Sequence, residues 1–193
     1  MALISTSRLR IVSWAVAWGV AAGPAPAPAQ SPTQTSTSPE YQVKAVFLFN
    51  FAQFVEWPPS AFPDSAAPLV ICVFGEDPFG PYLDEAVRGE AVQAHPLAVQ
   101  RYHRVEETRG CHILFVGRQE QDRLDEILDT LKGRPALTVS DADGFARRGG
   151  MIRFVTDRNR IRLRINLEAA RAAHLTLSSK LLRPAQIVRT GED

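Results

Sequence analysis

Residue types able to do chemistry are sparse in this chain, and their spacing fits few reactions. The two cysteines, Cys72 and Cys111, form no C-x-x-C, and His95, His103, His112 and His174 show no metal-ligand spacing. His112 beside Cys111 could tune a thiol, or simply pack at a strand end. Gly75–Gly80 (GEDPFG) follows an apolar run, where α/β folds often hold a ligand. It lacks G-x-G-x-x-G and the P-loop Lys-Ser/Thr, and Glu76 and Asp77 would repel phosphate. Asp141-Ala142-Asp143-Gly144 has the start of a calcium loop, but Arg147 and Arg148 follow in place of further acidic ligands. Loop solvation and helix capping are what remain for it. There is no G-x-S-x-G elbow, and Asp84/Glu85 and Glu106/Glu107 read as solvated pairs. The expectation is a chain with no catalytic, metal-binding or cofactor-binding set.

Two features point to contact instead. Arg160, Arg162 and Arg164 alternate with Ile161, Leu163 and Ile165, which puts the arginines on one side of a strand, with Arg153 on the strand before. They are either the solvated side of an edge hairpin or a docking surface for an acidic partner. Glu40–Trp57 is rich in aromatics, with Val43, Phe47, Phe51, Phe54 and Val55 near helical spacing. This stripe covers a sheet face or meets a partner, and Phe54 and Trp57 are its most exposed candidates.

The elements that must carry these residues are clearer. Leu69–Gly75 (LVICVFG) and Cys111–Gly117 (CHILFVG) are short, continuously apolar and end in glycine, the pattern of strands covered on both faces. Asp77–Arg88 reads as loop and helix, and His95–Tyr102 as a weaker strand. Gln119–Lys132 is the clearest helix, with Leu124, Ile127, Leu128 and Leu131 in one stripe before Gly133. Ala136–Val139 is a short strand, and Met151–Val155 with Ile161–Asn166 a hairpin. Glu168–His174 is a short helix, and Ser178–Val188 a closing helix that Pro184 interrupts. The fold class is α/β: a mixed, mostly parallel sheet flanked by helices, with a C-terminal antiparallel β-hairpin.

The N-terminus sets the compartment. Arg8 and Arg10 precede an apolar run, Ile11–Ala22, too short to span a bilayer, and Ala27-Pro28-Ala29 offers a signal-peptidase site. Residues 1–29 are expected to be a signal peptide cleaved between Ala29 and Gln30, residues 30–39 a disordered polar linker, and 40–190 a single domain. The processed chain is expected to be periplasmic. Cleavage removes two of the 22 Lys and Arg and none of the 21 Asp and Glu, leaving a net charge of −1. That offers no electrostatic reason to bind nucleic acid. Export also permits a disulfide. A Cys72–Cys111 bridge would close a loop of about 40 residues and stabilise by roughly 3–4 kcal/mol in the loop-entropy model; the alternative is two buried free thiols.

KAVFLFNFAQFVEWP (Lys44–Pro58), ICVFGEDPFG (Ile71–Gly80), CHILFVG (Cys111–Gly117), LTVSD with GFARRGGMIRF (Leu137–Phe154), and NLEAARAAHLTLSSKLLR (Asn166–Arg183) together resemble the YfiR family of DUF4154-type periplasmic regulators. The resemblance covers nearly all of the processed chain. It implies an α/β protein, not an enzyme, that binds and represses an inner-membrane diguanylate cyclase through its periplasmic region, and so affects cyclic-di-GMP and biofilm. A sensor kinase is the other output it allows. It further implies a peptidoglycan-associated outer-membrane lipoprotein as a second partner, homodimers, and Cys72 and Cys111 as the matching cysteine pair. Some relatives carry a second pair near the hairpin, where this chain has residues such as Phe145 and Ile152. A periplasmic small-ligand module, using the crevice near Gly75–Gly80 and Ser140–Asp143, is the competing expectation.

Overall fold

A computed structural model describes residues 38–158 and 160–191. The expected signal peptide, and the linker as far as residue 37, lie outside the described residues. The first helix, α1 (Pro39–Phe54), begins one residue before the expected start. Ser38 caps it by accepting from the Glu40 N–H at 3.3 Å, and Pro39 occupies the first turn, where a missing N–H costs nothing. The helix stops earlier than expected. Val55–Glu56 (β1) leaves it as a strand and pairs antiparallel with Thr176–Leu177 (β9). Among the described residues no helix is long and apolar enough to cross a membrane.

The remaining strands are β2 (Leu69–Phe74), β3 (Ala91–Val92), β4 (His95–Tyr102), β5 (Ile113–Val116), β6 (Leu137–Ser140), β7 (Ile152–Asp157), β8 (Arg160–Asn166) and β10 (Gln186–Val188). They form one sheet in the order β10-β8-β7-β6-β5-β2-β4-β3. The five strands from β4 to β7 are parallel neighbours. β8 is antiparallel to β7, β10 is parallel to β8, and β3 is antiparallel to β4. The mixed, mostly parallel sheet with its antiparallel hairpin is therefore the architecture expected. The helices are α1, α2 (Pro81–Val87), α3 (Leu124–Leu131), α4 (Leu167–Ala172) and α5 (Ser179–Leu182).

Alternation along the central strands divides the core. Leu69, Ile71, Val73, Ile113, Phe115, Leu137 and Val139 pack with α1 and α2. Cys72, Phe74, Leu114 and Val116 pack with Leu124, Ile127 and Leu131 of α3. Both faces are buried, which is why the strand sequences read as unbroken apolar runs.

Three expectations are corrected. Residues 178–188 are not one helix: α5 is a single turn, and after Pro184, which has no N–H to extend it, the chain becomes β10 on the open edge of β8. The expected helix Gln119–Lys132 is divided, with 3₁₀ turns over Arg118–Arg123 preceding α3. The buried face of α1 is rotated by about one residue. Val43 is 48% exposed, while Lys44 is fully buried with Leu48, Phe51 and Val55.

Candidate functional site

The cysteines join adjacent strands. Cys72 in β2 is bonded to Cys111, two residues before β5, with Cα atoms 5.8 Å apart. The bridge lies on the α3 face, inside the apolar cluster around Phe74 and Leu114. His112 next to it has a structural task. Its Nδ1 accepts the Val70 N–H at 3.1 Å and its Nε2 donates to the Ala61 carbonyl at 3.2 Å, so the ring is held neutral. Burial pushes its pKa down. Phe62 is sandwiched between the rings of His112 and His95. Trp57 is half-buried here and donates its Nε1–H to the His112 carbonyl at 3.2 Å. Phe54, the last residue of α1, is half-buried, with the Lys180 ammonium 5.8 Å from its ring centre.

The hairpin register confirms the arginine face. Arg153 opposes Arg164, Val155 opposes Arg162, and Asp157 opposes Arg160, so all four arginines share the side away from α1. They do not share an environment. Arg160 and Arg162 are exposed, and Arg162 reaches Asp157 at 3.3 Å. Arg164 is half-buried. Arg153 is 9% exposed and ion-paired to Asp143, so it is a buried strut and not part of an open docking surface. The open part of the expected surface is Arg160 and Arg162, at the tip.

A dense polar arrangement, marked by no sequence motif, lies at the end of β6. Asp141 follows β6 directly and points to the α1 side of the sheet, where its Oδ2 takes three donors. The Lys44 ammonium is 2.6 Å away, the Tyr41 hydroxyl donates at 2.8 Å, and Arg118 donates at 3.3 Å. Lys44 also meets Glu40 at 2.6 Å, and Glu40 accepts from the Thr156 hydroxyl of β7 at 2.9 Å. The knot thus ties α1 to the ends of β5, β6 and β7. Burial alone would raise the Asp141 pKa, but the Lys44 hydrogen bond and charge, with Tyr41 and Arg118, outweigh it and hold the carboxyl below its usual range. Burial and the Asp141 bond together push the Tyr41 phenol well up. The Lys44 hydrogen bond holds Glu40 down. Two clues in the sequence fit the knot: Lys44 is four and seven residues before Leu48 and Phe51, and Asp141 directly follows a buried strand.

Above the knot is a polar notch of about 390 Å³. β7 runs past the end of β6, since Ser140 pairs with Arg153 and residues 154–157 continue beyond it. Arg118 and Gln121 face this overhang across Asp141. At the other expected crevice, the Glu120 side chain packs directly against Gly75. Gly75 has φ +87°, and a side chain there would lie 2.5 Å from Glu120 Oε1. Glycine at 75 therefore serves close packing of the 3₁₀ segment, while the Ser140–Asp143 half of the expected crevice opens into the notch.

The family model described as YfiR/HmsC-like matches residues 41–186, from the first turn of α1 to the start of β10. No curated protein matches the chain.

Proposed function

From the chain's membership of the YfiR/HmsC-like family we infer that it is a periplasmic, non-catalytic regulator of an inner-membrane diguanylate cyclase. The observation that carries this reading is the extent of the match: it takes in α1, the parallel sheet and the hairpin, so the domain as a whole is the family's unit. The mechanism is differential binding. A partner that prefers one state of the membrane protein shifts that protein's equilibrium toward it, and repression follows if the preferred state is inactive. A sensor kinase with a periplasmic region would be governed by the same physics.

Arg160 and Arg162 at the hairpin tip, and the half-buried rings of Phe54 and Trp57, are the contacts we assign to such partners. The arginines suit an acidic surface, since guanidinium pairs bidentately with carboxylate. A peptidoglycan-associated lipoprotein of the outer membrane would act by competing for the regulator, and a second copy of the chain would do the same by covering the contact. The Cys72–Cys111 bridge, which joins β2 to the segment entering β5, suits a protein of an oxidising compartment.

The test is crosslinked capture from membranes of the source cell with the processed chain as bait. Recovery of a membrane protein carrying a periplasmic region and a cyclase or kinase output domain is the expected result. Recovery of neither, from membranes shown to contain such a protein, would overturn the reading.

A further inference from the structure

We propose that the notch above Asp141 is a binding site for a neutral, hydroxyl-rich solute, a mono- or disaccharide. The first observation is an orphaned acceptor. Asp141 has a side chain only 1% exposed, and all three of its donors converge on Oδ2. Its Oδ1 is buried and has no hydrogen-bond partner among the described residues. A buried carboxylate oxygen left bare is costly, and native proteins pair such atoms. The bare oxygen belongs to a residue lining the notch, so a small rotation of that carboxyl would present it to a donor bound there.

The second observation concerns what surrounds that oxygen. The notch is walled by Arg118, Gln121, Asp143 and Thr156, and its volume lies in the range of small-molecule sites, about 300–1,000 Å³. Arg118 is 57% exposed on its side chain and touches Asp141 through one nitrogen, which leaves other guanidinium N–H groups to donate into the space. Donors and acceptors are therefore both present around the rim.

Charge decides the class of ligand. Lys44, Arg118 and Arg153 are balanced by Glu40, Asp141 and Asp143, and these six are joined by ion pairs. A phosphate or a metal ion would meet its own sign as often as the opposite one. A hydroxyl group donates and accepts at once, so several on one ring match a rim of mixed carboxylate, guanidinium and amide groups without a net charge. One hydroxyl would donate to Asp141 Oδ1 while its neighbours accept from Arg118 and Gln121. This site is independent of the regulatory reading, and either can fail without the other.

Titration calorimetry of the processed chain against glucose, galactose, N-acetylglucosamine and cellobiose tests it, with glycine, glutamate and inorganic phosphate as comparators. At least one saccharide should bind saturably and the comparators should not. Arg118→Gln and Gln121→Ala should each weaken that binding about tenfold or more, the loss expected of a hydrogen bond to a well-placed polar group. Both side chains are on the surface, so thermal melts should show the variants folded. Three results would overturn the proposal: no saturable saccharide binding, binding of amino acids or phosphate instead, or saccharide affinity unchanged in both variants.

Discussion

Lys44 and Arg162 are both cations near the β7–β8 hairpin, and they differ in almost every physical respect. The Lys44 ammonium is fully buried and lies 2.6 Å from each of two carboxylates. Arg162 is largely exposed and reaches one carboxylate at 3.3 Å. Water has been removed from the first, so its partners are obligatory. Water screens the second, so its local partner contributes little and its charge stays available to another molecule. The comparison separates a region that fixes structure from a region free to recognise.

The sharpest way to break it is to remove one member of the knot. Lys44→Met or Asp141→Ala should destabilise the domain by about 3–5 kcal/mol in chemical denaturation, because each leaves a buried charge without its strongest partner. The double variant Lys44→Met/Asp141→Leu should recover much of that loss, since an apolar pair leaves no charge behind. A double variant as unstable as the sum of the singles would show the knot to be a set of independent contacts.

Next in size is the bridge between β2 and β5. Cys72→Ala/Cys111→Ala should cost roughly 3–4 kcal/mol in denaturant midpoint and slope analysis, if constraint of the unfolded chain is its main contribution. The loss should add to that of the knot variants, because the bridge lies on the α3 face and the knot on the α1 face.

A smaller, pH-dependent effect belongs to His112. Its folded pKa lies below the ordinary 6.5 because burial disfavours the imidazolium, and its Nδ1 is already accepting from Val70. Between the folded value and 6.5 the unfolded chain binds a proton that the native state does not. Stability should therefore be complete above 6.5 and fall as pH drops from there toward the folded value. Denaturant melts on either side of 6.5 measure this slope, and His112→Gln should flatten it. The acid limb below it has a different source. Asp141 and Glu40 are held down, so their contribution is present above their ordinary values of 3.8 and 4.5 and is lost as pH falls below them.

The smallest effect on stability should come from the hairpin tip. Arg160→Glu/Arg162→Glu should leave the thermal midpoint nearly unchanged, within about 0.5 kcal/mol, as surface changes do. Capture of the membrane partner should be what it loses.

How much of this could be read beforehand follows from how local each cause is. β2, β5 and the α3 stripe are written in short stretches: unbroken apolar runs ending in glycine, and Leu124, Ile127 and Leu131 at helical spacing. The face of α1 is not. Val43 and Lys44 are adjacent, and pattern alone favours burying the valine. What buries the lysine is Asp141, 97 residues away. β10 is likewise decided at a distance, because Gln186–Val188 becomes a strand only by finding the edge of β8. The arginine face was legible from period-two alternation, but the withdrawal of Arg153 into an ion pair with Asp143 was not.

Recognition of a membrane partner through the hairpin tip is tested most directly by side-by-side crosslinked capture from one membrane preparation. The unaltered chain should retain a membrane protein with a cyclase or kinase output domain, and the equally stable Arg160→Glu/Arg162→Glu chain should retain far less. Equal retention by the two would contradict the assignment of the hairpin tip, and failure of both to retain such a protein would contradict the regulatory account itself.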